Sequence, residues 1–251
     1  MDGLKFSRLD DVPLSVLETD SLRIFRRQSP VSVLGPGQRA VIWAQGCTFA
    51  CSGCLVPESW PQAGGESLAI SELAHWVLEQ PNIEGITLSG GEPMLQAEAL
   101  LRLIHQVRQS RDLGIVCYTG YRWEYLQQRG TPAQQALLHH IDLLIDGPYQ
   151  ASCHGDLLWR GSSNQRLMLL TSRYRDSVAQ RLATGDRSVG LELGIDLSGA
   201  FYFTGVPALK DFRSKLAAQM QNQGITVSGL SNGELSNSGL SSSGLNNSEG
   251  S

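Results

Sequence analysis

Three thiols stand close together at Cys47, Cys51 and Cys54, in a CxxxCxxC spacing. Soft thiolates grouped this tightly suit iron–sulfur clusters or zinc, and both usually take four ligands. Three cysteines therefore leave one position open. On a four-iron cluster that position is an iron available to a substrate or cofactor, which marks a reactive centre more than a structural one. The rival readings are a structural zinc site and a dithiol redox pair formed by Cys51 and Cys54. Zinc would want a further thiol or imidazole; His75 and His154 are distant in sequence, though folding can bring them near. Spacing alone leaves these alternatives open. In a reducing compartment grouped thiols favour metal or redox chemistry over disulfides. Cys117, inside an apolar run, reads as a buried small hydrophobe, and Cys153 stands apart.

The elements around the thiols give them a place. An apolar run, Ala40-Val41-Ile42-Trp43-Ala44, reads as a strand leading into the cysteine loop. A helix follows, capped by Ser67 or Ser71, with Leu73, Trp76 and Val77 at helical spacing. Gly85-Ile86-Thr87-Leu88 reads as a buried strand ending at Ser89-Gly90-Gly91-Glu92-Pro93, and residues 96–110 as a helix with one apolar face. Gly114-Ile115-Val116-Cys117 is the next strand, ending at Tyr118-Thr119-Gly120-Tyr121. A helical region over 121–140, broken near Gly130-Thr131-Pro132, precedes strand 141–145, which ends at Asp146-Gly147-Pro148. This alternation implies a parallel sheet with right-handed crossovers. Four polar or glycine-rich stretches then fall at the carboxyl ends of successive strands, where α/β folds bind ligands. Each alone is compatible with an ordinary turn; together they converge on one site.

The rest of the chain reads as appendage. Residues 1–21 form an irregular arm, 22–26 a short strand, and Gly35-Pro36-Gly37 a turn. The loop 159–165 leads to a strand at 166–170 and a short helix. A hairpin follows, pairing 190–196 with 201–204 around Ser198-Gly199, and then a helix over about 208–222 with Leu209, Phe212, Leu216 and Met220 on one side. From Ser228 the chain is Ser, Gly, Asn and Leu, with leucines five apart from Leu230 to Leu245. So few repeats would make about one solenoid coil with no neighbour to bury against, so 225–251 is expected to be a disordered tail. The expected fold is one α/β domain, an incomplete (β/α) barrel of the TIM type over 22–170 with a parallel sheet. A C-terminal extension over 171–224 adds the β-hairpin and helix.

Bulk properties exclude some functions. The 251 residues are 41% hydrophobic with net charge -4, enough for a sizeable core. Nucleic acid is not an expected partner, because the one basic cluster, Arg23, Arg26 and Arg27, reads as a solvated strand face. No apolar run approaches the roughly 20 residues of a membrane span. Met1-Asp2-Gly3-Leu4-Lys5 lacks a signal-peptide core, so the expected location is cytoplasmic.

The series Gly35-Pro36-Gly37, Gln45-Gly46-Cys47 through Cys54, Ser89 to Pro93, Tyr118 to Tyr121, Asp146-Gly147 and Trp159 to Gln165 resembles the radical S-adenosylmethionine enzymes. Within them it resembles the activating enzymes of anaerobic (class III) ribonucleotide reductase. The resemblance implies a [4Fe–4S] cluster on Cys47, Cys51 and Cys54, with S-adenosylmethionine chelating the fourth iron. Reductive cleavage of the sulfonium then gives methionine and a 5′-deoxyadenosyl radical, while the protein binds, orients and excludes water. By the same resemblance Gly53, Leu55, Gly90, Gly91, Glu92, Pro93, Thr119 and Asp146 are expected at the cofactor. The two glycines would let backbone approach the methionine moiety, Glu92 would fix the loop or meet the amino group, and Pro93 would stiffen it. Thr119 and Asp146 would hydrogen-bond the carboxylate, the ribose or a bound cation. Residues 160–164 either shape a substrate mouth or form a structural loop anchored by Trp159.

The implied partners are a glycyl radical enzyme such as anaerobic ribonucleotide reductase, which yields a hydrogen from a glycine, and a reductant such as flavodoxin or ferredoxin. The activases in question end near the point matched by residue 170, so the additions here leave room for a different peptide or glycyl radical target. No further cysteine cluster offers an auxiliary centre. From another class, a zinc- or cluster-binding interaction protein without catalysis fits the same thiols.

Overall fold

Apolar runs bounded by glycine and polar punctuation become strands when both faces can be covered, and this chain arranges its four longest such runs side by side. The computed structural model describes residues 20–195 and 201–223. The predicted arm up to residue 19, the Ser198-Gly199 turn and the 225–251 tail lie outside them. Strand β1 (Ser21–Val31) is followed by β2 (Arg39–Ala44), β3 (Glu66–Ala69), α1 (Ile70–Glu79), β4 (Gly85–Gly90) and α2 (Ala97–Arg108). Then come β5 (Gly114–Thr119), α3 (Trp123–Arg129), α4 (Pro132–Leu138), β6 (Leu143–Asp146), β7 (His154–Leu157), β8 (Arg160–Ser162) and β9 (Arg166–Leu169). Helix α5 (Arg175–Ala183), the strands β10 (Leu191–Ile195) and β11 (Phe201–Gly205), and α6 (Phe212–Asn222) complete the order. The chain divides into two compact units, Met1–Phe212 and Arg213–Ser251.

The main sheet has seven strands in the order β3-β1-β2-β4-β5-β6-β9. Its centre, β2-β4-β5-β6, is parallel, as the α/β alternation predicts. Its flanks are antiparallel: β1 pairs with both β2 and β3, and β9 with β6. The arrangement is a mixed α/β sheet with a parallel core. The hairpin β10-β11 forms as expected, with Leu193 opposite Phe203, and a second small hairpin, β7-β8, occupies what reads as loop in the sequence.

Helices α1 and α2 bury Leu73, Val77, Leu100, Leu103 and Ile104 against one face of the sheet. Each such side chain contributes roughly 1.5–3 kcal/mol relative to exposure. The predicted break at Gly130-Thr131-Pro132 has a cause: Thr131 and Gln134 form a reciprocal capping box that starts α4 anew. The predicted serine cap of α1 is corrected. Ser67 is paired in β3 opposite Arg23, Ser71 lies within the helix, and Ala69 precedes the helix without a side-chain cap. Helix α6 begins at Phe212 rather than 208, because Pro207 breaks the preceding segment and Asp211 takes φ 57°.

The opposite face is covered by Leu158, Trp159, Tyr174 and Val178, packed on Val116, Leu143 and Ile145. Val206 packs there with Val31, Val41 and Trp43. Beneath these lies Arg39, with no exposed surface. Its guanidinium donates to Thr87 Oγ1 at 2.6 Å, Pro36 O at 3.0 Å, Tyr174 Oη at 2.9 Å, Ile86 O at 2.6 Å and Gly114 O at 2.8 Å. One side chain thus joins β2, β4, the start of β5 and the segment before α5. A buried charge is tolerated where every donor is satisfied. Arg39→Met is expected to leave several buried oxygens without donors and to destabilise the chain by about 3 kcal/mol. Urea unfolding of the metal-free protein measures this, and a loss below about 1 kcal/mol would show that the clamp is dispensable.

Candidate active site

Parallel strands β2, β4, β5 and β6 all deliver their carboxyl ends to one side, and a cavity of about 150 Å³ opens there. Cys47, Cys51 and Cys54 line it together with Ser89-Gly90-Gly91-Glu92, Tyr118-Thr119-Gly120 and Gly147-Pro148-Tyr149. The convergence expected from strand order is therefore present.

The cysteine loop is held by its backbone. Gly46 N–H donates to Ser59 O at 2.8 Å and Cys47 N–H to Trp60 O at 3.0 Å, while Cys54 N–H closes onto Cys51 O at 3.1 Å. Left-handed backbone at Ala50 (φ 45°) and Gly53 (φ 80°) turns the loop back on itself. A Cβ on Gly53 would also press on Tyr149 Cε1 at 3.2 Å. Phe49 leans over Gly120, where a Cβ would come within 2.6 Å of its ring, and stands edge-on to Tyr121 at 5.0 Å. Burial raises the Cys51 thiol, with the neighbouring Cys54 and Cys47 adding to the shift, and the backbone N–H of Tyr149 opposes it. A Cys51 thiol raised by its own neighbours in this way favours a positive group beside it.

Gly90 and Gly91 have a structural reason that the sequence does not show. Gly90 takes φ 93°, and a Cβ there would lie 2.7 Å from Ala44 backbone; one on Gly91 would lie 2.3 Å from Gly46 O. The end of β4 is pressed against the start of the cysteine loop, and Gly91 N–H donates to Ala44 O and Glu92 N–H to Gly46 O, both at 2.8 Å. The glycines thus serve the close approach of two loops, and both also face the cavity.

Glu92 is 1% exposed. Its carboxylate accepts from Met94 N–H at 2.9 Å, Thr119 Oγ1 at 2.8 Å and Gly120 N–H at 2.7 Å. It fixes the loop to the end of β5, and all of these partners belong to the chain. Burial lifts its pKa from 4.5 to about 7, against the three hydrogen bonds that favour the charged form. Pro93 is buried in the 3-10 turn that follows and does not line the cavity. Thr119 lines it, with its hydroxyl turned to Glu92.

Asp146 is buried but directed elsewhere. It accepts from Trp123 N–H at 2.9 Å and Arg166 Nε at 2.9 Å, and it pairs with Arg122 at 3.7 Å, without lining the cavity. Leu55 lines a second, adjoining cavity of about 140 Å³. Among residues 160–164, Gly161 also lines the second cavity, Arg160 pairs with Asp186, and Asn164 donates to Pro148 O at 2.8 Å. Two lining residues, Trp60 and Tyr149, lie outside the stretches singled out in the sequence, and Gln165 stands there without a role at the site. Tyr149 lies just past the Asp146-Gly147-Pro148 stretch, and the strand-end rule extended by one residue would have reached it. Gln165 closes the loop 159–165: its amide bridges Gly161 N–H at 3.0 Å and Gly147 O at 3.1 Å.

The zinc alternative needed His75 or His154 nearby. His75 is a surface residue of α1, 3.2 Å from Glu79. His154 has both ring nitrogens engaged, with Tyr149 Oη at 3.1 Å and Ala208 O at 3.0 Å.

Residues 33–168 match the model of a family described as a 4Fe-4S single cluster domain. The chain is also 36% identical over 148 residues to an anaerobic ribonucleoside-triphosphate reductase-activating protein of Haemophilus influenzae, covering 54% of this chain and 91% of that one. The protein of the same name from Enterobacteria phage T4 is 34% identical over 141 residues, covering 54% and 86%. The chain belongs to this family of reductase-activating proteins. A crystal structure of QueE from Escherichia coli aligns over 86% of this chain and 97% of its own, with TM-score 0.41 and 12% identity, too loosely to carry an argument. For a member of the activating-protein family the donor set fits its cofactors. Three thiols surround a shared cavity that suits a [4Fe–4S] cluster, and Gly90 and Gly91, without side chains, line the same cavity, where S-adenosylmethionine would lie.

The raised Glu92 acid has a consequence for stability. Such a group makes its full contribution below its unfolded pKa of about 4.5 and loses it as pH rises through about 7. In the metal-free chain, unfolding free energy is expected to fall over that window relative to Glu92→Gln, whose amide does not titrate. Glu92→Ala, which orphans three donors, is expected to lose about 3 kcal/mol at pH 5. Denaturant titrations from pH 4.5 to 8 measure both effects, and parallel curves for wild type and Glu92→Gln would contradict the first.

Proposed function

We propose that this chain is a radical S-adenosylmethionine activase that installs a glycyl radical on a partner of the anaerobic ribonucleotide reductase type. The observation that carries the reading is the single cavity shared by the three cysteines and the ends of β4 and β5. Bound there, the cluster and S-adenosylmethionine supply an electron and a 5′-deoxyadenosyl radical able to take a hydrogen from a glycine.

The chain's own residues do the positioning. Cys47, Cys51 and Cys54 ligate the cluster, and Tyr149 N–H, directed at Cys51, tunes one of the thiolates. Gly90 and Gly91 offer backbone to the methionine end, and Glu92 holds that strand end against Thr119 and Gly120. In this reading Glu92 and Pro93 act through the loop, while Gly53 and Leu55 shape the cysteine turn and the wall beside it. Asp146 acts at a distance by anchoring Arg166 and the start of α3. Trp60, Phe49 and Tyr118 wall the cavity with carbon and restrict water around the reacting groups.

The reading includes an incomplete (β/α) barrel, and what supports it is the parallel core β2-β4-β5-β6 with its carboxyl ends at the cavity. A low-potential flavin or iron–sulfur protein is the expected electron donor. Among the described residues no helix is long and apolar enough to cross a membrane, in keeping with a cytoplasmic setting.

The test is anaerobic reconstitution with iron and sulfide, followed by dithionite, S-adenosylmethionine and a co-occurring reductase. Electron paramagnetic resonance should show a glycyl doublet on the reductase. Cys54→Ala should abolish both the doublet and 5′-deoxyadenosine formation. Formation of 5′-deoxyadenosine with no doublet on any such reductase would leave the radical chemistry and remove this partner class.

A further inference from the structure

Two tyrosines, Tyr118 and Tyr149, line the cavity shared by the three cysteines. A phenol is a hazard at a radical site. Its O–H bond is weaker than the C–H bond of a methyl group, so a phenolic hydrogen facing a 5′-deoxyadenosyl radical would be surrendered to it. The O–H bond breaks, a C–H bond forms at the 5′ carbon, and a phenoxyl radical stays on the protein. The two tyrosines meet this hazard differently. The Tyr118 oxygen is buried out of contact with solvent and has no hydrogen-bond partner among the described residues, so burial alone closes it off. The Tyr149 oxygen is engaged by His154.

Tyr149 is fixed on several sides. Its ring lies between two glycines: a Cβ would come within 3.2 Å of it at Gly53 and 3.0 Å at Gly161. Its Oη lies 3.1 Å from His154 Nδ1, and the two rings meet edge-on at 6.0 Å. On the far side of the imidazole, His154 Nε2 lies 3.0 Å from Ala208 O. A carbonyl only accepts, so this bond places a hydrogen on Nε2. The neutral ring then offers a lone pair at Nδ1, and the phenol donates into it. The chain of hydrogen bonds runs one way, from the Tyr149 hydroxyl to His154 and from His154 to Ala208.

Ala208 lies beyond residue 168, where the matched family region ends. The segment carrying it is anchored: Ser188 Oγ donates to Val206 O at 2.7 Å, and Arg26 Nη2 donates to Phe203 O at 3.2 Å. We propose that His154 is a positioning residue that keeps the Tyr149 hydrogen committed to its own Nδ1, and that the C-terminal extension, through Ala208, sets the tautomer that makes this possible. A hydrogen already donated to an acceptor reacts far more slowly with a radical than a free one. The wall beside the cysteines stays inert, and a side reaction is suppressed. This rests on the cofactor assignment above, and it gives residues outside the matched family region a part in the chemistry.

The test has two readouts. Long-range ¹H–¹⁵N correlation on the metal-free full chain at alkaline pH should show His154 as the Nε2–H tautomer; an Nδ1–H tautomer would overturn the proposal. The second readout uses the reconstituted protein with dithionite and S-adenosylmethionine in D₂O, without a partner. A phenolic hydrogen exchanges with solvent, so abstraction from Tyr149 places deuterium in 5′-deoxyadenosine. His154→Leu should raise that deuterium several-fold over wild type and give a tyrosyl signal in electron paramagnetic resonance, with cluster absorbance unchanged. His154→Ala, which adds no apolar bulk, should do the same and covers the case in which leucine impairs folding. Combining His154→Leu with Tyr149→Phe should return the deuterium to the wild-type level. Wild-type deuterium in both single variants, or undiminished deuterium in the combined one, would overturn the proposal. No 5′-deoxyadenosine from any of these proteins would remove the cofactor assignment and this proposal with it, whereas 5′-deoxyadenosine without activation of any reductase leaves both readouts intact.

Discussion

A single buried carboxylate holds the candidate site together. Removing a carboxylate from water costs several kcal/mol unless donors replace the lost hydration, and Glu92 finds three: two backbone N–H groups and a hydroxyl. Those donors come from two places, its own loop and the end of β5. Its backbone meanwhile bonds to Gly46, next to the first cysteine. The cysteine loop, the β4 end and the β5 end are therefore one rigid body through one residue. A cluster and a ligand that must meet with little freedom require this preorganisation.

Arg39 does for the sheet what Glu92 does for the site. Its five hydrogen bonds run to β4, the start of β5, the turn at Pro36 and Tyr174. The first two hold neighbouring strands together near their amino ends, while Glu92 joins the β4 and β5 ends on the opposite, carboxyl side. The parallel core is pinned at both ends by polar groups, with apolar packing between. Such buried polar groups cost stability when a partner is lost, so they specify one arrangement more sharply than leucines could.

Much of this was legible in the residues. Four apolar runs separated by helix-period segments announce a parallel core because both faces of such strands are buried. The cysteine loop stands out by three grouped thiols, and Gly-Gly-Glu-Pro by its place at the end of the next strand. The strand-end argument places both in one crevice. What escaped depended on long-range pairing. Nothing local in Arg166–Leu169 distinguishes a parallel strand from the antiparallel edge partner of β6. Ser67 looks like a helix cap until β1 claims it as a strand residue. Asp146 shares its strand end with the site residues, but Arg166, 20 positions later, draws its carboxylate away. Tyr149 and Gln165 became site residues through folding of a loop whose spacing carries no period.

The claim at the centre of this account is that three cysteines leave one iron for S-adenosylmethionine. The direct measurement is electron–nuclear double resonance on the reduced, reconstituted cluster with S-adenosylmethionine labelled with ¹⁵N at the amino group and ¹⁷O at the carboxylate. The account predicts hyperfine coupling from both labels to the cluster. A cluster spectrum indifferent to S-adenosylmethionine, or a colourless protein that binds zinc instead, would contradict it.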